Sequence, residues 1–139
     1  MIVLDTNVLS EVLRTTPDTH VMAWLKGQSR ASLFTTSVTR GEILYGIRLL
    51  PEGRRRHDLW NAALGIFNED LAEQVLTFDN EAADAYAEIA AHRRALGRPI
   101  SQFDTMIAAM ARSRGANLAT RNARDFDECG IDVVNPWQA

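Results

Sequence analysis

Short apolar stretches alternate along the chain with longer amphipathic stretches, which predicts strands and helices in turn. The apolar run at residues 2–4 predicts a buried strand that ends at Asp5, with a helix directly after it. Helical spacing of apolar positions predicts helices at about residues 5–15, 18–27, 39–50, 54–67, 80–96 and 101–115. Further short strands are predicted at residues 32–35, 74–78, 117–120 and 132–134, with a helical turn at 124–128.

This order of elements predicts an α/β fold. Because strands and helices alternate throughout, we expect a central parallel sheet covered by helices on both faces, an α/β/α sandwich. The sequence contains no internal repeat, low-complexity tract or linker, so residues 1–139 are predicted to form a single domain.

The composition is ordinary for a globular protein, with 46% hydrophobic and 24% charged residues. No apolar run approaches the ~18 residues of a membrane span. Asp5 interrupts the N-terminal apolar run, which argues against a signal peptide. Cys129 is the only cysteine, so an intrachain disulfide is excluded. A cytoplasmic protein is therefore expected.

The net charge is −3, whereas a protein that binds nucleic acid over its whole surface would be basic. Any contact with nucleic acid is expected to be local or bridged by a metal ion. Lys26 is the only lysine, and the other 14 basic residues are arginines. Catalytic sites that need a lysine far along the chain are therefore disfavoured.

Four acidic residues lie at or near predicted strand ends or helix starts: Asp5, Glu42, Asp104 and Asp125. Taken singly, each has a structural explanation. Thr39 with Glu42 matches a capping box, and Ser101 offers a similar cap for the helix that carries Asp104. Acids near helix N-termini also interact favourably with the helix dipole.

Taken together, the acids favour a metal site. The carboxyl ends of parallel strands gather at one edge of a sheet. Clustered carboxylates repel one another unless a cation neutralises them. Mg²⁺ prefers oxygen ligands and keeps several waters, and it can activate one of them for hydrolysis. Zinc is disfavoured because His20, His57 and His92 are scattered and expected at the surface.

Four motifs in this order resemble the PIN-domain ribonucleases, specifically the VapC toxins of type II toxin–antitoxin systems and their FitB-like relatives. The motifs are Ile2-Val3-Leu4-Asp5-Thr6-Asn7-Val8, Ser37-Val38-Thr39-Arg40-Gly41-Glu42-Ile43-Leu44-Tyr45-Gly46, Asp104-Thr105-Met106-Ile107-Ala108-Ala109, and Leu118-Ala119-Thr120-Arg121-Asn122 with Asp125-Phe126. The resemblance covers essentially the whole chain.

The resemblance implies metal-assisted hydrolysis of RNA that leaves a 5′-phosphate and a 3′-hydroxyl. It implies Asp5 and Asp104 as the principal ligands of Mg²⁺, with Mn²⁺ as a substitute, and Glu42 as a third acid that binds directly or through water. Thr6 and Thr120 resemble hydroxyl residues that orient the site, and Asn7 is a further supporting residue. Many PIN domains carry a fourth acid where this chain has Asn122. Asp125 is then the candidate for the missing charge, and whether the site takes one metal or two stays open.

The resemblance also implies partners. These are an RNA substrate, a VapB-type antitoxin that places a basic side chain among the acids, a homodimer and a higher toxin–antitoxin assembly. Arg40, Arg121 and Arg124 are the candidates for RNA contact because they lie next to the acidic motifs. An arginine run at 54–56 is more typical of a solvated helix face. Trp24, Leu25 and Trp60 fit either the antitoxin contact or the core.

Rival functions fit less well. A haloacid-dehalogenase-like phosphatase needs a second aspartate where this chain has Asn7, and it needs a downstream lysine, whereas Lys26 lies too early. A response-regulator receiver fails on the same lysine, and no glycine-rich phosphate loop is present. A catalytically silent PIN-like scaffold that acts through protein or nucleic-acid binding remains the alternative.

Overall fold

The computed structural model describes residues 1–139 and contains one sheet of five short strands. They are β1 (Ile2–Leu4), β2 (Leu33–Thr36), β3 (Val75–Leu76), β4 (Asn117–Ala119) and β5 (Val133–Val134). All neighbouring strands are parallel, and the order across the sheet is β3-β2-β1-β4-β5. Strand β1 is therefore central, and its carboxyl end lies between those of β2 and β4.

Six helices connect the strands: α1 (Thr6–Val12), α2 (Thr19–Lys26), α3 (Ser37–Arg48), α4 (Arg54–Gly65), α5 (Asn80–Ala95) and α6 (Gln102–Ser113). A π-helical turn, Ile66–Asp70, extends α4. Short 3₁₀ turns occur at Arg30–Ser32 and Ala123–Phe126. No helix is both long enough and apolar enough to cross a lipid bilayer.

The strands bury alternate side chains on opposite faces of the sheet, which produces two separate cores. Val3 and Leu118 belong to the core that includes Ile107 of α6, whereas Leu4 belongs to the core that includes Val8 of α1. This is the period-two pattern of strands covered on both faces. The prediction of a single α/β domain with a parallel sheet between helical layers is confirmed for its architecture.

The predicted capping box at Thr39 is wrong. Thr36, the last residue of β2, caps α3, and its hydroxyl accepts a hydrogen bond from the Thr39 amide at 3.1 Å. The helix thus begins two residues earlier than predicted, and Glu42 lies in its second turn. The cap at Ser101 is confirmed, since its hydroxyl accepts from the Asp104 amide at 3.1 Å.

Several other boundaries differ from the prediction. Helix α1 ends at Val12, three residues before the predicted end, and the Glu11 carboxylate accepts from the Asp18 amide at 2.9 Å. The strand predicted at 74–78 shortens to β3, an edge strand with one neighbour. The three histidines are exposed, as predicted. Trp24, Leu25 and Trp60 are partly buried against the core that contains Val8.

Candidate active site

Asp5 lies at the junction of β1 and α1, and its carboxylate accepts two short hydrogen bonds and a longer one of 3.4 Å from Asn7 Nδ2. Its Oδ1 accepts from the Thr6 amide at 2.8 Å, so it caps α1. Its Oδ2 accepts from the Thr120 hydroxyl, which follows β4, at 2.7 Å. The residue is only 4% exposed. Two neighbouring strands therefore fix a nearly buried carboxylate at the carboxyl edge of the sheet.

A chain of threonine hydroxyls connects α3 to α1 and ends on Glu42. Thr6 Oγ1 donates to Glu42 Oε1 at 2.8 Å and lies 3.0 Å from Thr39 Oγ1. Because the single hydroxyl proton of Thr6 goes to Glu42, Thr39 must donate to Thr6. Thr36 Oγ1 donates in turn to Thr39 Oγ1 at 3.3 Å. All three hydrogen bonds of this chain therefore donate toward the Glu42 carboxylate.

Thr120 is the centre of a second network on the other side of Asp5. Its hydroxyl accepts from Asn7 Nδ2 at 3.2 Å and from the Asn122 amide at 3.1 Å. Asn7 Oδ1 accepts from the Arg121 amide at 3.2 Å. Asn7 and Asn122 thus orient the hydroxyl that donates to Asp5, and they fix the backbone that follows β4.

The carboxylates influence one another electrostatically. Burial raises the pKa of Asp5 from 3.8 to about 6, the hydrogen bonds from Thr120 and Thr6 oppose this rise, and the charges of Asp104 and Glu42 add to it. Burial also raises the pKa of Asp104, against the hydrogen bond from Ser101 and with a contribution from Asp125. Burial is therefore the main cause of both shifts, and the charges of neighbouring acids add to it.

Asp5, Glu42 and Asp104 line one open pocket of about 540 Å³. None of the three forms an ion pair with a basic side chain. The other lining residues are Thr6, Asn7, Ser10, Glu11, Arg14, Arg121, Asn122 and Trp137. Asp125 is exposed on the Ala123–Phe126 turn and does not line this pocket, although its charge acts on Asp104.

The three arginines selected from the sequence occupy different positions. Arg121 lines the pocket, with its guanidinium carbon 5.1 Å from the centre of the Trp137 ring. Arg40 lies over the Phe67 ring and donates to the side-chain oxygen of Asn68 at 2.9 Å, outside the pocket. Arg124 is exposed and also lies outside it.

Comparison with known proteins places the chain in a family. The PIN domain model matches residues 2–131, and a VapC ribonuclease, Y4jK from Sinorhizobium fredii, is 38% identical over 99% of both chains. The chain belongs to the PIN-domain family of VapC toxins. The PIN domain is also 34% identical to the toxin FitB of Neisseria gonorrhoeae over 99% of both chains. It superposes on the structure of FitAB bound to the IR36 DNA fragment with a TM-score of 0.93 and 34% identity, covering 99% of this chain and 96% of that one.

The pocket of this PIN domain suits a hydrated divalent ion. All the acidic side chains that line it offer oxygen ligands, and no histidine or cysteine is among the lining residues. No three acidic, histidine or cysteine side chains lie close enough together to hold one ion directly. Mg²⁺ commonly binds through one or two carboxylates and keeps its remaining ligands as water. The donor set therefore fits a magnesium ion held by few direct protein ligands.

Four residues of the PIN domain pocket were not selected from the sequence: Ser10, Glu11, Arg14 and Trp137. Glu11 is 4% exposed. It accepts from the Asp18 amide at 2.9 Å, and Arg14 Nη1 lies 3.3 Å from its carboxylate oxygens. Glu11 could have been selected from the sequence, because it is an acid between the inward-facing residues of α1. No periodic pattern marks Trp137.

Proposed function

We propose that this PIN domain is the Mg²⁺-dependent endoribonuclease toxin of a type II toxin–antitoxin system. The observation that carries the proposal is the pocket in which Asp5, Glu42 and Asp104 lie without a basic partner. Burial of a carboxylate without a compensating charge destabilises the metal-free protein. A divalent cation is the partner that such a pocket requires.

Each acid has a distinct role in this proposal. Asp5 and Asp104 bind the ion, and Glu42 binds it through a water, because the three acids lie too far apart to hold one ion directly. When bound, Mg²⁺ supplies an activated water and positive charge for the phosphodiester oxygens. Thr6 and Thr120 donate to Glu42 and Asp5, which fixes one oxygen of each carboxylate. Mn²⁺ has the same preference for oxygen ligands and is expected to substitute.

Two residues of this chain share the role that a fourth acid has in many PIN domains. Asn122 lines the pocket but adds no charge, and its backbone amide donates to Thr120. Asp125 contributes its charge from the neighbouring 3₁₀ turn, as its effect on the pKa of Asp104 indicates. We assign Asn122 to orienting the site and Asp125 to completing its negative charge.

RNA is the proposed substrate, and Arg121 is the proposed phosphate contact. The Trp137 ring supports its guanidinium at the pocket, and a stacked guanidinium presents its donors to a phosphate in fixed directions. Arg40 and Arg124 are weaker candidates because they lie outside the pocket. Attack by water gives a 5′-phosphate and a 3′-hydroxyl.

A VapB-type antitoxin is the proposed inhibitor. A groove of about 1070 Å³ adjoins the acidic pocket and shares Thr6, Ser10, Arg14 and Glu42 with it. Its apolar lining residues are Leu13, Ile43, Ile47, Leu50, Leu59 and Ala62. An antitoxin segment with apolar side chains in this groove could place a basic side chain among the acids. The structure of FitAB bound to DNA is consistent with a higher toxin–antitoxin assembly.

Homodimer formation is part of the same proposal. Tyr45 on α3 and Leu49, the C-cap residue of α3, lie one turn apart, and each is 66% exposed. Phe103 at the start of α6 is 52% exposed. Exposed apolar side chains of this size are typical of protein–protein contacts when they form a continuous patch.

Cleavage of a structured RNA tests the proposal against a catalytically silent scaffold, which the amide at Asn122 would favour. The wild type, Asp5→Ala and the surface control Asp84→Ala should each be incubated with RNA in Mg²⁺ and in EDTA. We expect cleavage by the wild type and Asp84→Ala in Mg²⁺ only, with 5′-phosphate ends. Equal cleavage by Asp5→Ala, or no cleavage by any preparation, would reject the nuclease.

A further inference from the structure

Arg93 is the only arginine that the fold buries, and it has no role in the function proposed above. It lies near the end of α5 and is 5% exposed. No carboxylate forms an ion pair with it. Burial of a guanidinium is costly unless its donors are satisfied. The groups that accept its hydrogen bonds therefore show which parts of the structure this side chain holds together.

The partners of Arg93 are three backbone carbonyls of two separate segments and, at 3.9 Å, the Cys129 sulfur. Nε donates to the Arg98 carbonyl at 2.7 Å. Nη1 donates to the carbonyls of Asp125 and Asp127 at 3.0 and 2.6 Å. Hydrogen bonds from a charged donor are stronger than those between neutral groups. One side chain thus connects the end of α5 to the turn that carries Asp125.

The first segment leads directly to Asp104. The Arg98 amide donates to the Arg93 carbonyl at 3.0 Å, around Gly97 with a φ of 72°. This is the six-to-one hydrogen bond of a glycine-terminated helix. The side chain of Arg93 closes the same turn a second time. Ser101 follows three residues later and caps the helix that holds Asp104.

The second segment is the Ala123–Phe126 turn, which carries Asp125. We propose that Arg93 is a positioning residue that sets the placement of Asp125 relative to Asp104, and so the contribution of Asp125 to binding the divalent ion. This inference rests on the proposed nuclease function, because Asp125 matters to cleavage only if the acids bind a metal. Arg93 itself touches neither RNA nor metal in this role.

A double-mutant cycle tests the inference. Removal of outer hydrogen bonds around a metal site typically costs about 10- to 100-fold in metal affinity or activity. We expect Arg93→Met and Asp125→Ala each to raise the Mg²⁺ concentration for half-maximal cleavage by about tenfold. In the Asp125→Ala background, Arg93→Met should add less than about threefold, because its effect passes through Asp125. Arg93→Lys should recover part of the loss, since an ammonium can donate to the same carbonyls.

A purely structural role predicts different results. Val21→Ala, in the core on the other face of the sheet, is the control for loss of stability. Arg93 variants that lower Mg²⁺ affinity no more than Val21→Ala would overturn the inference. So would equal effects of Arg93→Met with and without Asp125, or no effect of Asp125→Ala. If Arg93→Met does not fold, the double-mutant cycle is measured with Arg93→Lys and its partial loss of Mg²⁺ affinity instead.

Failure of the proposed function gives a separate outcome. If the wild type cleaves RNA but the effects of Arg93→Met and Asp125→Ala are additive, only the role of Arg93 is rejected. A wild type that does not cleave RNA rejects the nuclease. The same four proteins then test Arg93 by calorimetric titration with Mg²⁺ alone, where additive losses of affinity, or no binding of Mg²⁺, would overturn it.

Discussion

Asp5→Asn should stabilise the metal-free protein while it abolishes Mg²⁺-dependent cleavage. The wild-type carboxylate is 4% exposed, and burial raises its pKa from 3.8 to about 6. At about 1.4 kcal/mol for each pKa unit, this rise corresponds to about 3 kcal/mol. That free energy is the cost of keeping Asp5 ionised in the folded protein above pH 6.

Asparagine removes this cost but does not keep every hydrogen bond. Its oxygen can accept from the Thr6 amide, as Asp5 Oδ1 does, whereas its NH₂ group cannot accept from the Thr120 hydroxyl or from Asn7 Nδ2. Loss of the 2.7 Å hydrogen bond from Thr120 costs about 1 kcal/mol, and loss of the 3.4 Å contact with Asn7 adds little because it is long. The net gain is about 2 kcal/mol, which corresponds to about 6 °C in Tm for a chain of this length.

The pH dependence follows from the sign of the shift. Because the folded protein binds the Asp5 proton more tightly than the unfolded chain, this group lowers the free energy of unfolding as the pH rises from about 4 to 6. The stability advantage of Asp5→Asn should therefore be full at pH 7.5 and vanish by about pH 4. Mg²⁺ should raise the Tm of the wild type and leave that of the variant unchanged.

Thermal unfolding in EDTA at several pH values is the assay. Asp18→Asn is the matched control, because Asp18 caps α2 and lies outside the pocket, and it should leave Tm nearly unchanged. A Tm of Asp5→Asn below that of the wild type at pH 7.5, or an advantage that grows as the pH falls, would refute the assignment of an uncompensated buried charge to Asp5.

Three further predictions concern the surroundings of the acids. Thr36→Ala should lower the free energy of unfolding by about 1 kcal/mol in denaturant titrations, because it removes the cap of α3; an unchanged midpoint would contradict this. Arg121→Ala should raise KM for RNA several-fold and lower the slope of log affinity against log salt by about 0.7 to 1, whereas Arg124→Ala, outside the pocket, should have a smaller effect on both. Mg²⁺ affinity measured by calorimetry should fall by up to about tenfold for each pH unit below about 6, because protons compete for Asp5; a constant affinity from pH 7 to 5 would exclude Asp5 as a ligand.

The position of Asp5 between a buried strand and a helix was predicted from the sequence, because a short apolar run that ends in an acid is typical of a central strand. The cap of α3 was mispredicted for a definite reason. Thr36 and Thr39 are both good caps and lie three residues apart, and only the end of β2 decides between them. Local pattern carries no information on where a strand stops when both candidates are threonines.

The direction in which an arginine side chain extends could not be predicted from its nearness to a motif in the sequence. Arg40 is next to the second motif, but its guanidinium contacts Phe67 and Asn68, which lie nearly 30 positions away in the sequence. The hydrogen bonds of Arg93 could not be predicted for a related reason. Its nearest partners are backbone carbonyls, which every residue possesses, so no sequence pattern marks them.

The Mg²⁺ dependence of RNA cleavage by the wild type and Asp104→Asn is the most direct test of the central claim. The amide keeps the shape of the side chain and removes its charge. We predict no wild-type cleavage in EDTA, saturable cleavage with Mg²⁺, and for Asp104→Asn at least about a tenfold higher half-saturating concentration with an unchanged circular dichroism spectrum. Wild-type cleavage that persists in EDTA, or identical Mg²⁺ curves for the two proteins, would contradict a metal site built on these carboxylates.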